Sequence, residues 1–93
     1  MVRITYDPRK RVATLRDRDI DFEDAGEVFA GIVVDIPDER FDYGEERILT
    51  VGHLRGRMVV VVWTRRGDAR HVISMRKANA REQARFWKRF GED

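Results

Sequence analysis

"RILTVGHLRGRMVVVVWTRRGDARHVISMRK", residues 47–77, decides the fold. It holds three runs of strand-forming residues, and the steps between them, Arg55-Gly56 and the Arg65–Arg70 stretch around Gly67, read as tight hairpin turns. The spacing predicts a meander of three antiparallel strands. The consecutive valines 59–62 mark its centre, because a strand covered on both faces is apolar throughout instead of alternating.

Register follows from the turns. A two-residue turn at Arg55-Gly56 sets Leu54 opposite Arg57 and carries Arg47 opposite Thr64, on one face of the sheet. If the next turn pairs Thr64 with Val72, Ser74 and Arg76 join that face. The face would then have an apolar floor, Val51, Val60, Val62 and Val72, and a polar end, Arg47, Thr64, Ser74 and Arg76. A slip of one residue at either turn would undo it.

Working outward, Asn79 is a helix N-cap with Glu82 at the capping-box position, and the helix stops before Gly91. Ala80, Ala84, Trp87 and either Gln83 or Phe90 form its apolar face; Arg81, Arg85, Lys88 and Arg89 form the other. Upstream, "VRITY" reads as a strand, and Asp7-Pro8 opens a helix over Pro8 to Arg18 whose stripe, Val12, Ala13 and Leu15, is so narrow that it stays mostly wet. "DFEDAGEVFAG" is a second helix, capped by Asp21 with Asp24 three residues on, burying Phe22, Ala25, Val28 and Phe29 and stopping at Gly31. "IVVDIP" is a short strand that ends in an acidic loop, "DERFDYGEE". The order is strand, two helices, strand, three-strand meander, helix: a single α+β domain over residues 1–93, with an antiparallel sheet, two N-terminal helices and one C-terminal helix.

With 93 residues, 42% hydrophobic and 39% charged, the chain makes one thin core under a heavily ionised surface. It has no cysteine, which excludes disulfides, thiolate nucleophiles and Cys-based zinc sites. No apolar run approaches a membrane span, and the start "VRITYD" has no signal-like pattern, so the expected location is the cytoplasm. Between Asp17 and Glu46 there are twelve acids and two bases, −10; between His53 and Phe90 there are eleven bases and two acids, +9. Either the halves attract each other, or the basic half faces nucleic acid or an acidic partner.

His53 and His71 fall in separate strands without carboxylates at ligand spacing, so no metal site is expected. Phosphate-cradling glycine loops, nucleophile elbows and dinucleotide fingerprints are lacking, and no cofactor is expected. The polar end of the sheet suits one metal-free chemistry, cleavage of RNA by its own 2′-hydroxyl. That reaction needs a base, a proton donor, and cations for the charge that builds on phosphorus. Glu46 is the nearest candidate base, though alternation sets it on the opposite face from Arg47; His71 is the other group able to move protons. Arg76 and Lys77 lead into the helix after Asn79, whose free N–H groups and dipole favour an anion. Arg81 and Arg85 would add affinity for RNA or for a protein partner. Each residue also has a plainer reading. Glu46-Arg47 is a salt-bridged strand start, Arg76-Lys77 a solvated turn, Thr64 and Ser74 ordinary strand residues, His53 and His71 surface residues, and Trp63 and Trp87 core.

The stretches "ITYDPRK", "DFEDAGEVFA", "DYGEERILTVG" and "RMVVVVWTRRGDARHVISMRKANARE" resemble, over about residues 3–87, the BrnT family of type II toxins, partners of the BrnA antitoxins. "GEER", "VVVVWT" and "ISMRKA" followed by "RE" are the most specific parts. The resemblance implies a RelE-like fold and metal-independent RNA cleavage that arrests growth. It also implies a ribbon-helix-helix antitoxin of the BrnA type, with DNA contacted only through that antitoxin. Glu46, Arg47, Thr64, Ser74, Arg76 and Lys77 match the family's motifs and become the expected RNA contacts and catalytic groups. One step departs: where the family commonly carries Lys-His-Gly between the helices, this chain has Asp17-Arg18-Asp19. Either Arg18 substitutes, or this copy is weakened. The rival reading is a module that binds RNA or antitoxin through the same surface and cuts nothing.

Overall fold

The computed structural model describes residues 2–40 and 42–91. Its elements in chain order are β1 (Arg3–Tyr6), α1 (Pro8–Arg18), a 3-10 turn (Phe22–Asp24), α2 (Ala25–Ala30) and β2 (Val34–Pro37). There follow β3 (Ile48–Leu54), β4 (Arg57–Arg66), β5 (Ala69–Lys77), α3 (Ala80–Phe86) and a closing 3-10 turn (Trp87–Phe90). They form one five-stranded sheet in the order β1-β5-β4-β3-β2.

The sheet is mixed, not antiparallel as expected, because β1 runs parallel to β5. No hairpin sets the direction of β1. Running parallel, it leaves Pro8 to turn the chain so that α1 lies along the rest of the β5 edge. There Lys10 Nζ reaches the Ile73 carbonyl at 3.5 Å and an Arg18 guanidinium N–H donates to the Met75 carbonyl at 2.9 Å. Side chains thus take over part of the edge protection a further strand would give. Asp7 accepts from the Arg9 N–H with Pro8 in the first turn, as expected. The helix buries no residue, and Val12 stands 61% exposed.

The first turn of the meander pairs Leu54 with Arg57, as read from the sequence. The second differs: Arg66 pairs with Ala69 and Thr64 with His71, so Val72 lies opposite Trp63, on the other face from the one expected. That slip alone would also have reversed Ser74 and Arg76. A β-bulge beside Val62/Trp63 cancels it, because Ile73 is passed over and Ser74 pairs with Val62, Arg76 with Val60. Thr64, His71, Ser74 and Arg76 therefore share one face after all, with His71 in the place expected for Val72.

The opposite face carries the main core. Trp63, Phe22, Val28, Met75 and Val72 are buried there with Ile20, Ala25, Val59 and Val61. The indole N–H of Trp63 donates to Thr50 Oγ1 at 2.7 Å, and that hydroxyl donates to Asp35 at 2.6 Å, so the polar atoms of this layer are paired. At Gly52, an added Cβ would lie 2.8 Å from a Val28 methyl, and α2 seats on β3 through that gap. The expected second helix is split: Asp21 caps the Glu23 N–H and the first three residues are a 3-10 turn. Gly31 ends α2 in extended backbone instead of a left-handed turn.

The site-bearing face is covered by α3. Phe86, buried with Val51, Met58, Val60 and Ala78, is its anchor, flanked by Trp87 and Phe90. Ala84 is exposed, so the packed side is rotated from the expected one. The capping box of Asn79 and Glu82 is formed as read. Because α3 turns α-helically only as far as Phe86, its anchor covers the Met58–Val60 end of the sheet. The Thr64–His71 end is left to the loop of residues 38–47, whose ends are pinned by Asp38 N–H to the Arg47 carbonyl at 2.8 Å. Phe41, one of the two aromatics of that loop, lies outside the described residues.

Candidate functional site

Strand pairing orders this face in rows. Val34, Val51, Val60 and Arg76 lie side by side, then Ile36, Leu49, Val62 and Ser74, and past the end of β3 the third row holds Thr64, His71 and Thr5. The apolar floor is thus bordered by polar side chains along β5, kept on this face by the bulge at Ile73 and not by simple alternation.

His71 is half-buried, with Nδ1 2.9 Å from the hydroxyl of Thr5 on the parallel strand. Burial pushes its pKa below the usual 6.5, and the charges of Arg66 and Lys10 push the same way against Glu45 and Asp7. Burial thus favours the neutral imidazole, the form able to accept a proton. Arg47, expected beside Glu46, pairs with Glu45 instead, at 3.4 Å, and lies over the ring of Tyr43 at 3.8 Å. Glu45 also reaches Arg66 at 3.9 Å. Glu46 is exposed, and its backbone carbonyl accepts the Thr64 hydroxyl at 2.7 Å. Thr64, at 2% exposure, therefore ties the loop to β4 and does not face substrate.

Arg76 meets Glu82 in a two-pronged ion pair, 2.7 and 2.8 Å, while Glu82 also accepts from the Asn79 N–H. The guanidinium is held at the start of α3 with 35% of its side chain exposed. The pair expected of Arg76 and Lys77 does not form. Neighbouring strand residues point to opposite faces, and Lys77 borders a hollow of about 240 Å³ with Asp19, Arg55 and Arg57. Ser74 opens into a groove of about 270 Å³ against α1, lined by Lys10, Thr14, Asp17, Arg18 and Ile73. So Arg18 and Asp17 of the departing step do border the site-bearing strand. Asp17 is paired with Arg16 at 2.9 Å, which lowers its carboxyl pKa. Arg81 and Arg85 are exposed on α3, Arg85 4.9 Å from the Phe86 ring centre. Trp63 is core, as expected.

Sequence reasoning missed Thr5, Lys10, Arg40, Glu45 and Arg66. Lys10, Thr14 and Arg18 recur every fourth residue, a polar stripe that could have been seen; Glu45 and Arg40 depend on loop geometry that no period encodes. The same loop closes a cavity of about 560 Å³ lined by Asp35, Asp38, Glu39, Asp42, Glu45 and Glu46 beside Tyr43 and Arg47. Among the described residues, no three His, Asp or Glu side chains are grouped as a metal ion's ligands would be. No helix among them is long and apolar enough to cross a membrane.

The α+β fold leaves one half-open sheet face that carries His71 and Arg76 beside the loop of Arg47, a class of small protein with a cationic rim on its sheet. Residues 6–82 match the family model described as "Ribonuclease toxin, BrnT, of type II toxin-antitoxin system", and the chain belongs to that family. It is also similar to a solved structure, the 1.1 Å crystal structure of the Brucella abortus ribonuclease toxin BrnT. The two share 27% identity and superpose with a TM-score of 0.68, over 85% of this chain and 99% of that one. No curated protein sequence matches the chain.

Proposed function

We propose that this chain is a working ribonuclease toxin with a RelE-like fold. It cleaves RNA in the cytoplasm without a metal ion, arrests growth, and is neutralised by a BrnA-type ribbon-helix-helix antitoxin through which alone it meets DNA. Family membership supports the ribonuclease class and an antitoxin partner. The observation that carries the chemistry is the neutral His71 beside Thr5 on a face that also presents Arg47, Arg76 and Ser74.

With Nδ1–H donating to Thr5, the Nε2 lone pair of His71 is the base. It removes the 2′-hydroxyl proton as the 2′-oxygen bonds to phosphorus; the bond to the 5′-oxygen breaks, and that oxygen takes a proton from water. The guanidinium groups of Arg47 and Arg76 offset the charge on the pentavalent phosphorus, a role worth about 3 kcal/mol for a well-placed donor. Ser74, Arg81 and Arg85 hold flanking RNA, and Glu46 is the second candidate for moving protons. Lys77, on the opposite face, serves RNA that continues past the sheet edge.

A second reading, binding without cleavage, draws on Arg76 and Thr64, both of which already have structural partners. Growth and RNA integrity after induction separate the two readings, comparing the parent with His71→Gln and Arg47→Gln. These variants leave the capping box of α3 intact, whereas Arg76→Glu would set two carboxylates face to face. RNA loss in the parent and its abolition in His71→Gln, with antitoxin binding retained, establishes the enzyme. Intact RNA in every strain leaves the binding module.

A further inference from the structure

Asp38 lies in the loop over the half-open face, its side chain 0% exposed, while that of its partner Arg40 is 62% exposed. The carboxylate holds Arg40 by two bonds, Oδ1 to Nε at 2.8 Å and Oδ2 to the terminal nitrogen at 2.9 Å. The Tyr43 hydroxyl donates to the same Oδ2 at 3.3 Å. The guanidinium of Arg47 lies 3.8 Å from the Tyr43 ring centre. One buried carboxylate and one tyrosine therefore set two guanidinium groups on the same loop, next to the face that carries His71 and Arg76. Here the acid is buried and the base is presented to solvent, with its remaining donors directed away from Asp38.

We propose that Arg40 is an RNA-phosphate ligand of this site, acting beside Arg47 and Arg76, and that Asp38 is its positioning residue. The inference rests on the ribonuclease reading above and adds a contact to it. Arginine suits the role because one edge of the guanidinium can stay bonded to Asp38 while other N–H groups meet a phosphate oxygen.

The test is binding of a fluorescent oligonucleotide carrying 2′-O-methyl groups throughout, so that no nucleophile is present, to the full chain across a salt series. Arg40→Gln should weaken binding at low salt about tenfold and lower the salt slope by roughly 0.7, the value for one contact to a single strand. Arg9→Gln, which removes the same charge from α1, should do much less. Asp38→Asn makes the protein one unit more positive, so charge alone predicts tighter binding; loss of positioning predicts weaker binding, with kcat/KM on cleavable RNA falling in step. Equal, small effects of Arg40→Gln and Arg9→Gln would overturn the proposal and reduce Arg40 to a loop brace. If Asp38→Asn fails to fold, Arg40→Gln decides alone. A parent that binds no RNA removes the ribonuclease reading itself, and the proposal with it; a parent that binds while Arg40→Gln binds equally removes the proposal only.

Discussion

Arg76 and Glu82 meet fork to fork, 2.7 and 2.8 Å apart, and the same carboxylate closes the capping box on the Asn79 N–H. One residue on the candidate RNA face and one at the start of α3 are thus a single unit, so stability and function are coupled there. Glu82→Gln removes the charge but keeps an acceptor. Chemical denaturation should show a loss of about 1–2 kcal/mol, less than for a fully buried pair because both side chains are partly solvated. If Arg76 grips phosphate, the same variant should tighten RNA binding, since the competing carboxylate is gone; unchanged affinity would assign Arg76 to the helix alone.

Acid should weaken the loop before the core. Arg40 holds the Asp38 carboxyl down to about 2, against an ordinary 3.8. A depressed carboxylate contributes stability that is fully present above its unfolded value and is lost as pH falls through the folded one. The window is therefore pH 4 down to 2. The contribution is on the order of 1–2 kcal/mol, reduced by the exposure of Arg40. Denaturation midpoints for the parent and Asp38→Asn should converge as the pH falls through that window; a constant difference would mean the pair carries no net stability.

His71 sets a different pH dependence. Its pKa lies below 6.5, chiefly through burial and then through Arg66. If His71 is the base, its neutral form is the active one, so kcat/KM should fall as pH drops through that lowered pKa. Arg66→Gln removes a like charge, so the limb should move to higher pH. His71→Gln should abolish the limb and cost about 10²–10⁴-fold in rate. A limb that survives in His71→Gln would hand the base role to Glu46.

Gly52 tests how the sheet accepts α2. Its missing side chain leaves room for Val28, whose methyl lies 2.8 Å from where a Cβ would stand, with a Val33 methyl at 3.1 Å. Gly52→Ala should cost about 1–3 kcal/mol by overpacking, seen as a lower denaturation midpoint, while Gly52→Ala/Val28→Ala recovers part of it. Equal losses that simply add would show that the two residues do not meet.

Leu54 opposite Arg57 could be read because a two-residue turn leaves one register. The sharing of a face by Thr64, Ser74 and Arg76 was expected from a pairing that does not occur, and a bulge at Ile73 restores it. A bulge of this kind answers to packing on both faces at once, which no local pattern encodes. The direction of β1 was illegible for a similar reason: its partner lies more than sixty residues away. The ion pair of Arg47 with Glu45 and not Glu46 was legible in principle, because residues two apart in an extended chain share a side while adjacent ones do not.

The departing step Asp17-Arg18-Asp19 now has a place. Asp19 ends α1 in the left-handed region at φ 56, where glycine is favoured and aspartate is strained. Asp19→Gly should therefore raise stability by up to about 1 kcal/mol whether or not the protein cuts RNA. Arg18 is anchored to the Met75 carbonyl across the groove that Ser74 lines, so a cation already stands at the strand edge. Asp17 faces the same groove with its charge partly met by Arg16. If Arg18 replaces the missing lysine or histidine, Arg18→Gln should reduce RNA cleavage about tenfold or more, and Asp17→Lys should raise it modestly. If this copy is weakened, the parent and Arg18→Gln should be equally inert, and cleavage should emerge only in the triple variant Asp17→Lys/Arg18→His/Asp19→Gly. Because Asp19→Gly alone gains stability, thermal denaturation of all five proteins separates a better-folded chain from a better enzyme.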